Sequence, residues 1–186
     1  MKRSLWSVAV AMGLAVSAGA AQAQVPVVKP LSFGVSGGLS VANGDFSNAV
    51  NAGYNVSGMV GLHLPAVPVS FRGELQYQHF GLKDQGINIT GNTSTLAGIV
   101  NAIYQLPTPV ISPYITGGVG MYHVKGTASD GTNTGSSSDN KFGYDLGAGI
   151  NFHLSSFGTF IEADWQSIST DGGSMRTIPL RFGVTF

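Results

Sequence analysis

The chain has 186 residues, a formal net charge of zero and no cysteine. Charged residues make up 10% of it, against about 25% in an average soluble protein, whereas glycine occurs 27 times. Such an apolar, charge-poor chain is not expected to be disordered, and its neutrality argues against a nucleic acid partner. The lack of cysteine excludes a disulfide framework, a cysteine-ligated zinc site and a thiol nucleophile.

The first 23 residues have the pattern of a secretory signal peptide. Lys2 and Arg3 precede an apolar stretch over residues 5–18, and Ala21-Gln22-Ala23 is a typical cleavage site. The apolar stretch is too short for a transmembrane helix. We therefore expect residues 1–23 to be removed and residues 24–186 to form a single domain.

Alternation of apolar and polar residues dominates the rest of the chain. No apolar run after residue 24 approaches the ~20 residues that a transmembrane helix needs. In the last segment, residues 178–186, Arg181 lies on one face, and the opposite face carries Ile178, Leu180, Phe182, Val184 and Phe186. A period of two residues is typical of a β-strand with two unlike faces.

Seven earlier segments show the same alternation: residues 31–41, 54–64, 69–80, 95–106, 111–124, 141–154 and 157–169. In residues 111–124, three glycines leave the two faces ambiguous. About 9–11 residues suffice for a tilted strand to cross a bilayer, and every segment reaches that length. The sequence therefore predicts an all-β protein, an eight-stranded antiparallel up-and-down transmembrane β-barrel with the even strand number of bacterial outer-membrane barrels.

The connections between these segments alternate in length. Residues 65–68, 107–110 and 155–156 are short turns, residues 42–53, 81–92 and 126–140 are long loops, and residues 170–174 are intermediate. Outer-membrane barrels have short periplasmic turns and longer outer loops, so we expect both termini in the periplasm. The polar, Ser- and Gly-rich residues 127–139 predict a mobile surface loop.

A water-soluble eight-stranded barrel would show the same periodicity, but the sizes of the side chains differ between the two cases. The interior of an eight-stranded barrel is just wide enough for side chains to fill. Here the polar faces are rich in glycine and serine, whereas the apolar faces are bulky, with aromatic residues near both strand ends as at lipid–water interfaces. We therefore expect the apolar faces in lipid and a filled polar lumen inside.

Two segments give the chain a resemblance to a known family. Residues 112–122 read SPYITGGVGMY, and the chain ends in RFGVTF. With the signal peptide, they resemble the small eight-stranded outer-membrane β-barrels, the porin-family proteins that include the OmpA transmembrane domain and OmpX. The resemblance implies that Phe182, Val184 and Phe186 form the signal read by the barrel-assembly machinery. It also implies periplasmic chaperones during export, and outer-membrane lipid and lipopolysaccharide as surroundings.

Charged residues on the predicted inward faces define a lumen charge cluster: Arg72, Glu74, Asp145, Glu162, Asp164 and Arg181. A buried charge is costly unless it is paired. Folding the last hairpin about residues 171–172 places Arg181 opposite Glu162, with Asp164 as a diagonal neighbour. We interpret the cluster as structural: it fills the lumen and fixes the strand register, because an eight-stranded interior normally closes. An ion pathway is the alternative.

The sequence indicates no enzyme, cofactor site or metal site. Glu162 and Asp164 share a strand face, but acid–base catalysis needs a cleft, and none is predicted there. His153 and Ser155 have the His-x-Ser spacing of some outer-membrane lipid A deacylases, yet they fall at a periplasmic turn, away from lipid A. The histidines lack metal-site spacing, and the glycine clusters are not followed by the helix of a phosphate-binding loop.

These observations predict an integral outer-membrane protein with a structural or surface-contact role: membrane integrity, adhesion or host contact through a ligand of its loops. The main alternative is a narrow channel for ions or small solutes. A lipid-modifying enzyme and a water-soluble barrel for an apolar ligand are weaker alternatives. A closed barrel has no free sheet edge, so we expect a monomer.

Overall fold

The protein folds into a single closed β-barrel. The computed structural model describes residues 30–64, 68–83, 90–106, 108, 111–129, 133–153, 157–170 and 173–186. Each strand pairs antiparallel with the next, and the last pairs with the first. The strands are β1 (Leu31–Asn43), β2 (Gly53–His63), β3 (Val69–Gly81), β4 (Thr90–Gln105), β5 (Ile111–Ser129), β6 (Thr134–His153), β7 (Gly158–Thr170) and β8 (Gly173–Thr185). The predicted all-β, eight-stranded barrel is confirmed.

A short helix, α1 (Phe46–Ala49), lies between β1 and β2. Within the described ranges, no helix is both long enough and apolar enough to cross a membrane. The predicted signal peptide and the turn that holds Leu154 and Ser155 lie outside these ranges.

The apolar face of the barrel points outward, and the polar face points inward. Phe33 is 54% exposed, Val100 60% and Leu146 59%, although all three belong to strands. The buried set is mostly polar instead. Its largest members include Arg181, Gln76, Gln78, Gln166, Glu162 and Asn55, together with the apolar Tyr122, Phe80, Ile99 and Ile168. A water-soluble barrel would have the reverse arrangement, so this barrel carries the outer surface of a membrane protein.

The structure resolves the ambiguous faces of β5. Tyr114, Thr116 and Tyr122 are buried in the lumen, whereas Ile115 and Met121 are exposed on the outer face. The glycines of this strand blur its alternation because a residue without a side chain marks neither face.

The hairpin between β5 and β6 is longer than the sequence predicted. Residues 126–129 and 134–140, assigned to a long loop, pair as a regular ladder that ends at Ser129↔Thr134. The prediction was wrong for these residues because backbone hydrogen bonds hold the ladder and require no apolar alternation. The described ladder between β6 and β7 begins at Gly143↔Ile168, so residues 134–140 of β6 extend beyond it.

Candidate functional site

The candidate site is the interior of the barrel, where the six predicted charged residues meet. Each of the six side chains belongs to a residue that is at most 5% exposed. β1 begins and β8 ends at the same end of the barrel, which we call the termini end. The opposite end is the loop end. From the termini end to the loop end, the lumen contains a cavity, the charge cluster, a layer of glutamines and an apolar plug.

Glu162, on β7, is the hub of the charge cluster. Arg72, across the barrel on β3, donates from Nη1 to Oε2 at 2.8 Å and from Nη2 to Oε1 at 2.7 Å. Arg181, directly opposite on β8, donates from Nε to Oε1 at 3.0 Å. The Tyr114 hydroxyl donates to Oε2 at 2.6 Å. Paired guanidinium–carboxylate hydrogen bonds of this kind are charge-assisted and among the strongest in proteins.

Arg181 joins two further carboxylates to the hub. Its Nη2 lies 2.8 Å from Asp164 Oδ2, and its Nη1 donates to Glu74. Arg72 Nε lies 3.4 Å from Glu74 Oε2. Two guanidiniums are thus shared among three carboxylates, which fixes the positions of β3, β7 and β8 around the lumen.

Asp145, the sixth member, lies beside this network. Within the described part of the chain, no Arg or Lys nitrogen lies within ion-pair distance of it. The Asn101 amide lies between Asp145 and Arg72. With its nitrogen facing Asp145, that amide donates to the two carboxylate oxygens at 3.1 and 3.3 Å and accepts from Arg72 Nη2 at 3.2 Å.

Glycines make room for these large groups. A Cβ on Gly149 would lie 2.7 Å from Ile161 O and would collide with the Tyr114 ring, and one on Gly147 would collide with Asp164. By contrast, a Cβ on Gly73 would meet no atom within 4 Å. The glycines next to the cluster therefore leave the space that its large side chains occupy.

A glutamine layer lies on the loop side of the cluster. Gln78 Nε2 donates at 2.6 Å to both Gln76 Oε1 and Gln166 Oε1, and Gln166 Nε2 donates to Gln76 Oε1 at 3.0 Å. Thr177 donates to Gln166 at 3.3 Å. These contacts join β3, β7 and β8 a second time, one layer closer to the loop end than the charge cluster.

An apolar plug closes the loop end of the lumen. The Phe46 ring of α1 packs edge-on against Phe80, with ring centroids 5.5 Å apart and an interplanar angle of 77°. The plug consists of two packed groups that share Phe46: Ala42, Val50 and Phe80, and Ala97, Ile99, Tyr122, Ile168 and Met175.

The chain segment after β3 holds α1 over the lumen. Lys83 donates from its backbone nitrogen to Ala49 O at 2.9 Å, and from Nζ to Ser47 O at 2.6 Å. The turn into α1 passes through Gly44, whose φ of +65° favours glycine. The plug is therefore tied to two loops of the barrel.

A cavity of about 220 Å³ adjoins the charge cluster at the termini end. Its lining includes Arg72, Tyr114, His63, Asn151, Phe160 and Met59. The lumen is therefore partly empty near the termini and filled with packed apolar side chains near the loops.

Sequence reasoning did not identify several residues of this interior. Tyr114 and Asn101 bind the charge cluster, and Phe46 and Phe80 form the plug. The period-two pattern of β3 could have placed Phe80 inside, because it shares a face with Arg72 and Glu74. No local pattern marks Phe46, which lies in a loop.

The remaining predicted site residues lie elsewhere. Phe182 and Phe186 are exposed on the outer face near the termini end, and Val184 on the same face is half-buried. Phe186 also exchanges two backbone hydrogen bonds of 2.9 Å with Phe33. Among the described residues, no group of three or more His, Asp or Glu side chains could hold a metal ion.

Comparison with known proteins decides the family. The family model of the outer membrane protein beta-barrel domain matches residues 7–186. The chain belongs to this family. It is an integral outer-membrane β-barrel protein, in agreement with its apolar outer surface. No curated protein sequence matches the chain significantly.

Solved structures with a similar fold are small outer-membrane barrels. Neisserial surface protein A is 14% identical with a TM-score of 0.62, over 84% of this chain and 96% of that one. Ail, the attachment invasion locus protein of Yersinia pestis, is 19% identical with a TM-score of 0.54, over 84% and 97%. A major outer membrane protein from Thermus thermophilus is 14% identical with a TM-score of 0.57, over 84% and 98%. At these identities the likeness shows the fold.

Proposed function

We propose that this protein is a closed outer-membrane barrel that acts through its loop end, in membrane integrity, adhesion or host contact, and that it is not a channel. The observation that carries the proposal is the filled lumen. Charge cluster, glutamine layer and apolar plug follow one another across the barrel, so an ion would have to displace three successive sets of packed side chains.

The two ends of this filling oppose ions in different ways. At the charge cluster, an ion would have to break hydrogen bonds between buried charged groups, which are costly to leave unpaired. At the plug, it would have to cross packed apolar side chains such as Phe46, Phe80 and Ile168, where it would lose its hydration. These barriers favour the structural role over the narrow channel.

The loop end offers a surface suited to contact with a partner. The β5–β6 hairpin continues beyond the barrel, and its exposed residues are mainly Ser, Thr, Gly and Asn. One protein of similar fold carries the name attachment invasion locus protein, which is in keeping with a surface-contact role.

Conductance across a planar bilayer tests the closed lumen. We expect no discrete current steps from protein whose insertion is verified by its different mobility in boiled and unboiled gel samples. Reproducible steps would contradict the proposal and favour the channel. In that case Glu162→Gln should change the size or ion selectivity of the steps, whereas Asp139→Asn, an exposed charge on the hairpin, should not.

Whole-cell binding tests the surface role. Cells that display the protein should bind immobilised extracellular-matrix proteins or host cells more strongly than cells without it. A variant with residues 127–138 replaced by a two-residue turn should lose this gain while keeping its heat-dependent mobility. Unchanged binding by the shortened variant would exclude the hairpin as the contact surface.

A further inference from the structure

A notch interrupts the lipid-facing surface between β6, β7 and β8. It has a volume of about 420 Å³ and is lined by Leu146, Gly147, Ala148, Ala163, Asp164, Trp165 and Ile178. Ala148 and Ala163 are direct cross-strand partners, and so are Leu146 and Trp165. Small side chains thus form the lower part of the notch, and large apolar side chains form its walls.

The backbone contributes to this notch. The ladder between β7 and β8 is interrupted between Ala163↔Leu180 and Gln166↔Thr177. Pro179 lies in the interrupted stretch, and a proline has no N–H to donate to a neighbouring strand. The lining also includes Gly147 and Asp164, whose Cβ positions face the lumen, so the floor of the notch lies at the backbone of these two residues.

A cationic side chain lies next to the notch, on its loop-end side. Arg176 is on β8, two residues from Ile178 and on the same outward face, toward the loop end. It is exposed and makes no ion pair with any described residue. Two residues of a strand span about 7 Å, so its guanidinium is within reach of a group seated at the mouth of the notch.

Aromatic side chains place this arrangement at the lipid–water interface. Tyr144 packs against Trp165 with ring centroids 5.7 Å apart, and Phe142, two residues closer to the loop end of β6, is exposed. Such aromatic residues collect where acyl chains meet headgroups. The notch therefore lies at the depth of acyl chains, and Arg176 at the depth of headgroups, on the loop side of the membrane.

We propose that the notch and Arg176 form a binding site for a phosphorylated, multiply acylated lipid of the lipid A class, with one acyl chain in the notch and a phosphate on Arg176. A hydrogen-bonded pair of guanidinium and phosphate is charge-assisted and favourable. Lipid A carries phosphate and several chains on one rigid headgroup, and it belongs to the outer leaflet, which the loop end faces. This inference does not depend on whether the lumen is closed.

Trp165 offers a direct readout of the site. The chain contains two tryptophans, Trp6 and Trp165, and removal of residues 1–23 would leave Trp165 alone. We would place the processed protein in phosphatidylcholine nanodiscs, add lipid A or phosphatidylglycerol, and follow Trp165 fluorescence together with lipid retention by native mass spectrometry.

Wild-type protein should retain lipid A with a change in Trp165 fluorescence, and phosphatidylglycerol should bind at least tenfold more weakly. Ala163→Leu fills the notch, and Arg176→Gln removes its cation, so each should weaken lipid A binding about tenfold. Lys125→Gln is the matched control, because it removes an exposed cation from β5, away from the notch, and it should bind like wild type.

Three outcomes would overturn the proposal. Equal binding of lipid A and phosphatidylglycerol would exclude the lipid A class. Unchanged binding by Ala163→Leu would exclude the notch, and its heat-dependent mobility would show that this variant is folded. Dimers in the nanodiscs that Ala163→Leu abolishes would mean that a second copy of the chain fills the notch.

Discussion

Three side chains, Arg72, Arg181 and Tyr114, donate hydrogen bonds to the Glu162 carboxylate. Replacing it by glutamine would leave two buried guanidiniums without their main partner. Removing one partner of a buried pair costs about 3–5 kcal/mol, so we expect Glu162→Gln to lower the free energy of unfolding by that amount. Urea unfolding of the protein in lipid vesicles would measure it.

Asp164→Asn is the matched control for this prediction. Asp164 is also buried beside Arg181, but Arg181 keeps its hydrogen bonds to Glu162 and Glu74 when this charge is removed. The loss of stability should therefore be smaller than for Glu162→Gln. Equal losses in the two variants would contradict the assignment of Glu162 as the hub.

Glycine positions offer a steric test at the same scale. Gly149→Ala forces a methyl group against Tyr114 and Ile161 O, whereas Gly73→Ala adds one in open space. Overpacking costs about 1–3 kcal/mol, so we expect that loss of unfolding free energy for Gly149→Ala and little change for Gly73→Ala. Two equally stable variants would show that the interior can relax around the extra carbon.

At the scale of elements, the β5–β6 hairpin contains a local ion pair with a defined pH response. Lys141 Nζ lies 2.6 Å from Asp139 Oδ2. The Lys141 hydrogen bond, and then the Asn140 N–H, lower the pKa of Asp139 below its ordinary value. The pair therefore supports the hairpin above the ordinary aspartate pKa, and this support is lost as the pH falls through the lowered value.

NMR titration of the Asp139 carboxyl would check this prediction. We expect Lys141→Met to move the midpoint back toward that of an ordinary aspartate. Lys125→Met removes a cation from the neighbouring strand and should leave the midpoint where it is. A midpoint that does not respond to Lys141→Met would mean that the pair does not form in solution.

Helix α1 makes a second prediction at this scale. Phe46→Ala removes the ring that packs on Phe80, which should cost about 2 kcal/mol for a half-buried phenylalanine. The amide protons of residues 46–50 should then exchange faster with solvent, while those of β3 and β7 stay protected. Asn48→Ala, an exposed change on α1, is the control. Unchanged exchange in Phe46→Ala would mean that the Lys83 contacts alone hold the helix.

The sequence predicted those strands correctly whose two faces contact different surroundings, lipid on one side and the lumen on the other. β8 and β3 alternate clearly because lipid touches one face and the lumen the other. The outer parts of β5 and β6 have water on both sides, so their sequence carries no such contrast. α1 escaped prediction for a similar reason, because four residues are too few for a helical period.

The pairing of charges was predictable only in part. Arg181 and Glu162 are neighbours across one hairpin, so their juxtaposition can be counted from the turn. The Arg72–Glu162 pair joins residues 90 positions apart, on opposite walls of the lumen. Side-chain reach across the closed barrel, rather than sequence spacing, brings them together.

At the scale of the whole molecule, the C-terminal residue is predicted to decide assembly in the cell. Phe186 is 63% exposed, so its ring adds little to the folded interior. If it is part of the assembly signal, Phe186→Ala should strongly reduce the amount of folded protein in the outer-membrane fraction while refolding in detergent stays normal. Phe71→Ala, another exposed ring near the same end, should assemble normally.

Equal amounts of Phe186→Ala and wild type in the outer membrane would contradict this role. Poor refolding of Phe186→Ala in detergent would point instead to a contribution of the ring to folding itself. The two backbone hydrogen bonds to Phe33 are kept in the substituted chain, so they do not confuse the comparison.

The pairing of β1 with β8 also sets the order of events in biogenesis. This seam joins Gly34 to Thr185 and Phe33 to Phe186, from the two ends of the barrel sequence. Contacts so far apart in sequence form slowly, because the entropy of closing the chain is lost before the contacts compensate for it. The seam cannot form until the last residues have been synthesised and exported, and until then the apolar strands stay exposed to water. Because closure is slow, we expect the exported chain to depend on a holding chaperone until the seam has formed.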